Sequence, residues 1–166
     1  MPKIGQFSVI DNNNIIDPSV KIGNFCEVAA GCIIGPNCIL QCQVRIGPRV
    51  TIGENVTVKF GSSLTKGMVV ESGVFIGPNV VFLGSDHKLQ NIQGTSVGAR
   101  SFIGAGTNVA AGIIIGPDII IGANSFVNKN LLIPGVYVGA QQKKYETTNI
   151  YNRMRKVWHQ HDSWYR

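Results

Sequence analysis

One row of residues constrains this chain more than any other feature. Stepping by six from Ile4 lands on Ile10, Ile16, Ile22, Val28, Ile34, Leu40, Ile46, Ile52, Val58, Leu64, Val70, Ile76 and Phe82. The next step lands on Lys88. A second frame then runs Val97, Ile103, Val109, Ile115, Ile121, Val127 and Ile133, and fails at Gly139. A period of six is neither helical nor that of a simple strand. It fits a short strand followed by a tight turn, with the apolar residue pointing inward. Hexapeptide periodicity is the signature of a parallel β-helix.

Two companion rows support this reading. The position after each apolar residue is small, as at Gly5, Gly23, Ala29, Gly35, Gly47, Gly53, Gly77, Gly98, Gly104, Ala110, Gly116 and Gly122. Four after it comes a compact site, which includes Ser8, Val20, Cys26, Cys32, Cys38, Val44, Val74, Ser101, Thr107, Ile119 and Ser125. Three of the four cysteines are thus expected to be small buried core residues. Cys42 lies off both rows and is expected at the surface. Gly35-Pro36-Asn37, Gly53-Glu54-Asn55, Gly77-Pro78-Asn79 and Gly116-Pro117-Asp118 read as corners.

Composition excludes several classes. No apolar run approaches the ~18 residues of a membrane span, and nothing reads as a signal peptide, so the expected compartment is the cytoplasm. The 166 residues suit one domain, and the net charge of +6 suits an anionic ligand. No basic stripe interleaved with aromatics marks a nucleic-acid surface. The cysteine spacings match no zinc pattern. His159-Gln160-His161 offers two ligands and no third, so no metal is expected.

The repeat breaks once, over Gly84-Ser85-Asp86-His87-Lys88-Leu89-Gln90-Asn91-Ile92-Gln93-Gly94-Thr95-Ser96. Fourteen hexads precede the break and seven follow it. They sum to whole coils if the insertion bulges from a corner and the next strand resumes on its expected face. His87 would then stand near the root of an excursion, with Gln93-Gly94-Thr95 a flexible return.

Residues 4 to 138 resemble the hexapeptide-repeat family, whose members fold as left-handed β-helices with three hexads per triangular coil. Further segments carry the resemblance. Val81-Phe82-Leu83-Gly84-Ser85-Asp86-His87-Lys88 is similar to the place where sugar acyltransferases of the family leave the coil. Val97-Gly98-Ala99-Arg100-Ser101-Phe102-Ile103-Gly104-Ala105-Gly106-Thr107-Asn108-Val109-Ala110-Ala111-Gly112 resembles the family's aromatic-Ile-Gly coil and small-residue turn. Ile121-Gly122-Ala123-Asn124-Ser125-Phe126-Val127-Asn128-Lys129-Asn130 resembles a family signature. Val136-Tyr137-Val138-Gly139-Ala140 replaces the usual Gly-Asn-Pro-Ala ending and lacks its Asn and Pro.

The resemblance implies an all-β fold: a left-handed parallel β-helix of about seven triangular coils over 1–140, with a protruding loop at 84–96. The left hand comes from the resemblance, because general rules favour right-handed crossovers. Residues 141–166 form a C-terminal helical tail in this reading. Thr147-Thr148-Asn149 would cap the helix, and Ile150, Met154 and Val157 would share one face.

The implied chemistry is acetyl transfer from acetyl-CoA to an amino group of a nucleotide-linked sugar, in a surface-polysaccharide pathway. His87 would be the general base, since the acceptor must lose a proton near neutral pH. Asp86 and Asn91 would contact the acceptor. Ala105, Ala123, Asn128, Lys129 and Lys143 would hold coenzyme A, the alanines beside its pantetheine arm and the lysines at phosphate. The family implies a homotrimer with sites between adjacent prisms. Sugar O-acetylation is the neighbouring alternative. A non-catalytic β-helix scaffold is the rival from another class. γ-Class carbonic anhydrases share the fold but use three histidines, whereas only His87 lies in the prism here.

Overall fold

The protein is described by a computed structural model covering residues 1–85 and 94–140, and the backbone of 143–145. Its strands are mostly two residues long and wind into a triangular prism with three parallel faces. Face one starts at Lys3–Ile4, face two at Val9–Ile10 and face three at Ile15–Ile16. Lys3 pairs with Lys21, Val9 with Glu27 and Ile15 with Ile33, so each turn of the coil takes eighteen residues. The coil is left-handed and makes about seven turns. With strands about 4.8 Å apart, the prism is on the order of 30 Å tall.

The six-residue row forms the core. Ile34, Leu40, Ile46, Ile52, Ile76, Ile103, Ile115 and Ile121 are almost fully buried. The outward residue of each strand is more exposed, as in the pairs Glu27–Val28 and Thr51–Ile52. The corners use left-handed backbone. Asn37, Asn55, Asn79, Asp118 and Asn124 have φ between 54° and 59°, a conformation that Asn and Asp tolerate better than most residues. Pro36, Pro78 and Pro117 precede three of them and fix the preceding φ.

The compact row holds neighbouring coils together through hydrogen bonds. Ser8 Oγ donates to the Gly23 carbonyl (2.8 Å), Ser62 Oγ to Gly77 (2.7 Å), Ser101 Oγ to Gly116 (2.9 Å) and Thr107 Oγ1 to Gly122 (3.2 Å). The three core cysteines occupy the same row. Their thiols donate to the carbonyls of Gln41 (2.9 Å), Gly47 (3.2 Å) and Gly53 (2.9 Å). Each donor reaches the carbonyl fifteen residues ahead, in the next coil. They are buried, as expected, but they also serve as rungs between coils.

The upper end departs from the expectation in two ways. Ile133, the last member of the apolar row, is exposed. Leu131 takes its inward place, bridging Ile115, and its carbonyl accepts from Gly116 N–H at 2.7 Å. Lys143–Tyr145 form a strand antiparallel to Gly135–Val138, so the segment expected to open a helical tail begins by edging face one. The expected helix at 147–159 lies outside the described residues. At the lower end, in the first coil described, Ile4 is exposed and Ile10 and Ile16 are half-buried.

Candidate functional site

The break falls at the corner between faces two and three. Val81–Phe82 lie on face two, and after the break the coil resumes with Ser96–Val97 on face three. An ordinary corner here uses four residues, as between Leu64 and Val69, whereas 83–95 spans thirteen. The nine extra residues leave the prism intact. Val69 pairs with Ser96, twenty-seven residues on, and Ser96 pairs with Ile114 at the usual eighteen.

Both roots of the excursion are held by the coils. At its departure Gly84 sits against Thr65, one coil below. A Cβ on Gly84 would meet Thr65 Oγ1, so a larger residue there requires the Thr65 side chain to turn away or the root to shift. At its return Gly94 has φ +97°, a left-handed conformation that suits glycine. Thr95 is buried. Its Oγ1 accepts from Gly112 N–H at 3.0 Å, and its carbonyl accepts from Val69 N–H at 3.2 Å. The return was expected to be flexible; Thr95 instead ties the coil below to the coil above. Sequence carried the signal, because Thr95 stands two before Val97 as Val80 stands two before Phe82. It therefore belongs to the compact row.

Asp86, His87 and Asn91 lie outside the described residues. Ser85 and Gly94 bracket them in the chain. The remaining candidates fall on two corners. Ala105 and Ala123 stack one coil apart at the corner between faces one and two, where Asn124 N–H donates to the Ala105 carbonyl at 2.8 Å. Ala105 is half-buried and Ala123 exposed. The backbone of Lys143 lies opposite Val138, just beyond this same corner. Asn128 and Lys129 are exposed at the corner between faces two and three, two coils above the excursion. Lys129 and Lys143 thus belong to different edges. Between the two corners runs the upper part of face two, with Val81, Asn108 and Phe126 outward. Crossing it takes about six residues of nearly extended chain, roughly 20 Å at most.

Arg100 and Asp118 form a two-pronged ion pair, 2.8 and 2.6 Å, at the corner between faces three and one. Burial raises the pKa of the thiols of Cys26 and Cys32, and pushes that of Cys38 up to about 11, so they are protonated near neutrality. Among the described residues no three His, Cys, Asp or Glu side chains gather in a way that could hold a metal ion. No helix among them is long and apolar enough to cross a membrane. A groove of about 860 Å³ lies at the lower end of face one, lined by residues including Lys3, Lys21, Phe25, Cys42 and Phe60. None of the candidate residues lines it.

Comparison with known proteins agrees with this architecture. Residues 31–66 match the bacterial transferase hexapeptide (six repeats) family, and 94–129 match the hexapeptide repeat of succinyl-transferase. No curated protein sequence matches the chain. Among solved structures, a variant of GDP-perosamine N-acetyl transferase from Caulobacter crescentus, in complex with CoA and GDP-perosamine, is similar. It is 22% identical with a TM-score of 0.61, covering 86% of this chain and 58% of that one. PerB from the same organism, with the same two ligands, is 23% identical with a TM-score of 0.58, at 85% and 58% coverage. Francisella novicida UDP-N-acetylglucosamine acyltransferase is 18% identical with a TM-score of 0.58, covering 93% of this chain and 73% of that one. The chain spans just over half the length of the first two. At these identities the likeness is one of fold. By its period, its coil and its two matched segments, the chain is a hexapeptide-repeat protein of the left-handed β-helix class, with repeats of the kind found in bacterial transferases.

Proposed function

We propose that this chain transfers an acetyl group from acetyl-CoA to the amino group of a sugar, in the cytoplasm, with a nucleotide-linked sugar as acceptor. One observation carries the reading. The repeat is interrupted once, the interruption preserves register, and both its roots are fixed to the coils by Thr65, Gly84 and Thr95. A rigid base under an excursion that contains His87 suits positioned proton transfer. The similar solved structures named for N-acetyl and acyl transfer to nucleotide sugars support the choice of reaction.

In this mechanism neutral His87 accepts a proton from the acceptor amine as its nitrogen attacks the thioester carbonyl. The new C–N bond forms, the C–S bond breaks, and the proton passes to the departing thiolate. Asp86 and Asn91 orient the sugar. Ala105 and Ala123 offer an unobstructed corner to the pantetheine arm, with Asn128 beside the second corner. Lys129 and Lys143 bind phosphate as point charges.

The separation of these residues onto two corners supports a site built from two prisms. The excursion and Lys129 of one copy would face Ala105, Ala123 and Lys143 of its neighbour, in a homotrimer. The test is a screen of amino and hydroxy sugars, free and nucleotide-linked, with release of free thiol from acetyl-CoA as readout. Turnover with a nucleotide-linked amino sugar, falling at least about a hundredfold in His87→Ala, is expected. No acetyl-CoA-dependent turnover with any acceptor, from folded protein, rejects the enzyme reading. Unchanged turnover in His87→Ala removes the base.

A further inference from the structure

Alternation gives each strand of the prism an inward and an outward residue. On face one the outward column begins with Lys3 and Lys21 and ends with Phe75, Phe102, Ile120 and Val136. The two lysines are exposed. Phe75 and Phe102 are half-buried, their rings stacked 5.0 Å apart. Ile120 and Val136 are only 4% and 9% exposed. Yet neither belongs to the core inside the prism, which holds their inward neighbours Ile121 and Tyr137. They are buried on the outside of the coil.

Flanking rungs do not account for this. Ile33 and Val69 hold the outward position on face three, each with a rung above and below, and remain 45% and 43% exposed. A second layer must therefore lie over the top of face one. The burial belongs to the single chain, so no neighbouring copy supplies it. The excursion is too short to supply it. It leaves from the corner opposite face one, and residues 83–95 run out and back, so at full stretch they reach about 20 Å, the width of one face. Gly139 and Ala140 are exposed, and the backbone of Lys143–Tyr145 runs along the upper edge, beside Val136. That leaves the chain beyond Tyr145.

We infer that residues 146–166 pack across the upper part of face one, over Ile120 and Val136. Tyr145 pairs with Val136, so the segment begins at the patch it covers. Its sequence matches the surface. Ile150, Met154, Val157 and Trp158 recur at helical spacing as one apolar stripe, with Arg153, Arg155 and Lys156 off it. The outward column beneath carries no charge from Phe75 to Val136, whereas its lower part carries Lys3 and Lys21. Ile120 stands three residues before Ala123, so the docked segment walls one side of the corner that Ala105 and Ala123 occupy.

The test reads packing in the full chain and does not depend on the proposed reaction. The two tryptophans, Trp158 and Trp164, both lie in this segment, so indole emission reports on it alone. In the parent chain trypsin should cut slowly at Arg153, Arg155 and Lys156. Ile120→Lys should shift the emission toward that of exposed indole. It should also speed those cuts at least about tenfold, since cleavage of a segment that opens reversibly follows its open population. The coil accepts lysine at this position, as Lys3 and Lys21 show, so the circular-dichroism spectrum should not change. If Ile120→Lys does not fold, Met154→Asp, which leaves the coils untouched, should give the same two changes. Phe126→Lys, outward on face two, should give neither. Rapid cleavage at these sites in the parent chain overturns the inference. So do emission and cleavage that both Ile120→Lys and Met154→Asp leave unchanged. Protection that disappears on dilution of the parent would assign the cover to a neighbouring copy and overturn it as well.

Discussion

Gly84 lies directly against Thr65, with the Thr65 hydroxyl too close to admit a Cβ at residue 84 unless something shifts. The Thr65 Cβ itself stands 3.6 Å from that point, an ordinary contact. Gly84→Ala should therefore displace the root of the excursion. Thr65→Ala removes the obstruction. In an acetyl-transfer assay the single Gly84→Ala variant should lose about tenfold or more in kcat, since small misplacements of a catalytic group are costly. The Gly84→Ala/Thr65→Ala double variant should recover most of it. Equal loss in single and double variants would break the link between this contact and the site.

Ser101 tests the ladder between coils. It is fully buried, donates to the Gly116 carbonyl at 2.9 Å and accepts from Ile119 N–H at 3.0 Å. Ser101→Ala strands two backbone groups and should cost about 2–4 kcal/mol. Ser101→Cys should cost much less, because Cys26, Cys32 and Cys38 hold equivalent places. Chemical denaturation of both variants against the parent measures the difference.

The four thiols should separate by reactivity. Cys42 is exposed and the other three are buried. At pH 8 a colorimetric thiol reagent should find one thiol in the folded chain and four after denaturation. Titration adds a stability signature. Burial holds the Cys38 thiol protonated up to about 11, above its value in the unfolded chain. As pH rises past the ordinary thiol range, the unfolded chain loses this proton first. Stability referable to Cys38 is therefore level below that range and declines toward about pH 11. A stability that rises across this window would contradict the assignment, once lysine and tyrosine titration are accounted for.

The two-corner arrangement predicts complementation between inactive variants. His87→Ala damages the excursion, and Ala123→Trp fills the other corner. If one site takes its excursion and its alanine corner from different chains, co-refolded variants should regain about a quarter of parental activity by random pairing around a closed ring. If each chain contains its whole site, the mixture stays inactive.

Much of the fold was legible in the sequence, and the reasons are physical. An inward side chain every six residues cannot be polar, so the row from Ile4 to Val127 writes the coil openly. Asn37, Asn79 and Asp118 mark corners because their backbone is left-handed. Other features depend on contacts that the period does not encode. Cys38 read as packing alone, since nothing local reveals a carbonyl fifteen residues ahead. Ile133 kept the period but lost the core to Leu131, where Pro134 and Gly135 end the regular corner. Lys129 and Lys143 looked alike as cations, but the coil places them on different edges. Thr95 was readable only by counting back from Val97.

The register across the break has a consequence for how such chains diversify. Ser96 meets Val69 and Ile114 just as an uninterrupted coil would require. The register is therefore set by what flanks the stretch between Ser85 and Gly94, where Gly84 approaches Thr65 and Thr95 accepts from Gly112. A change in the number of residues between these two ends would leave the pairing of Ser96 with Val69 and Ile114 as it is, so length there is decoupled from the coil.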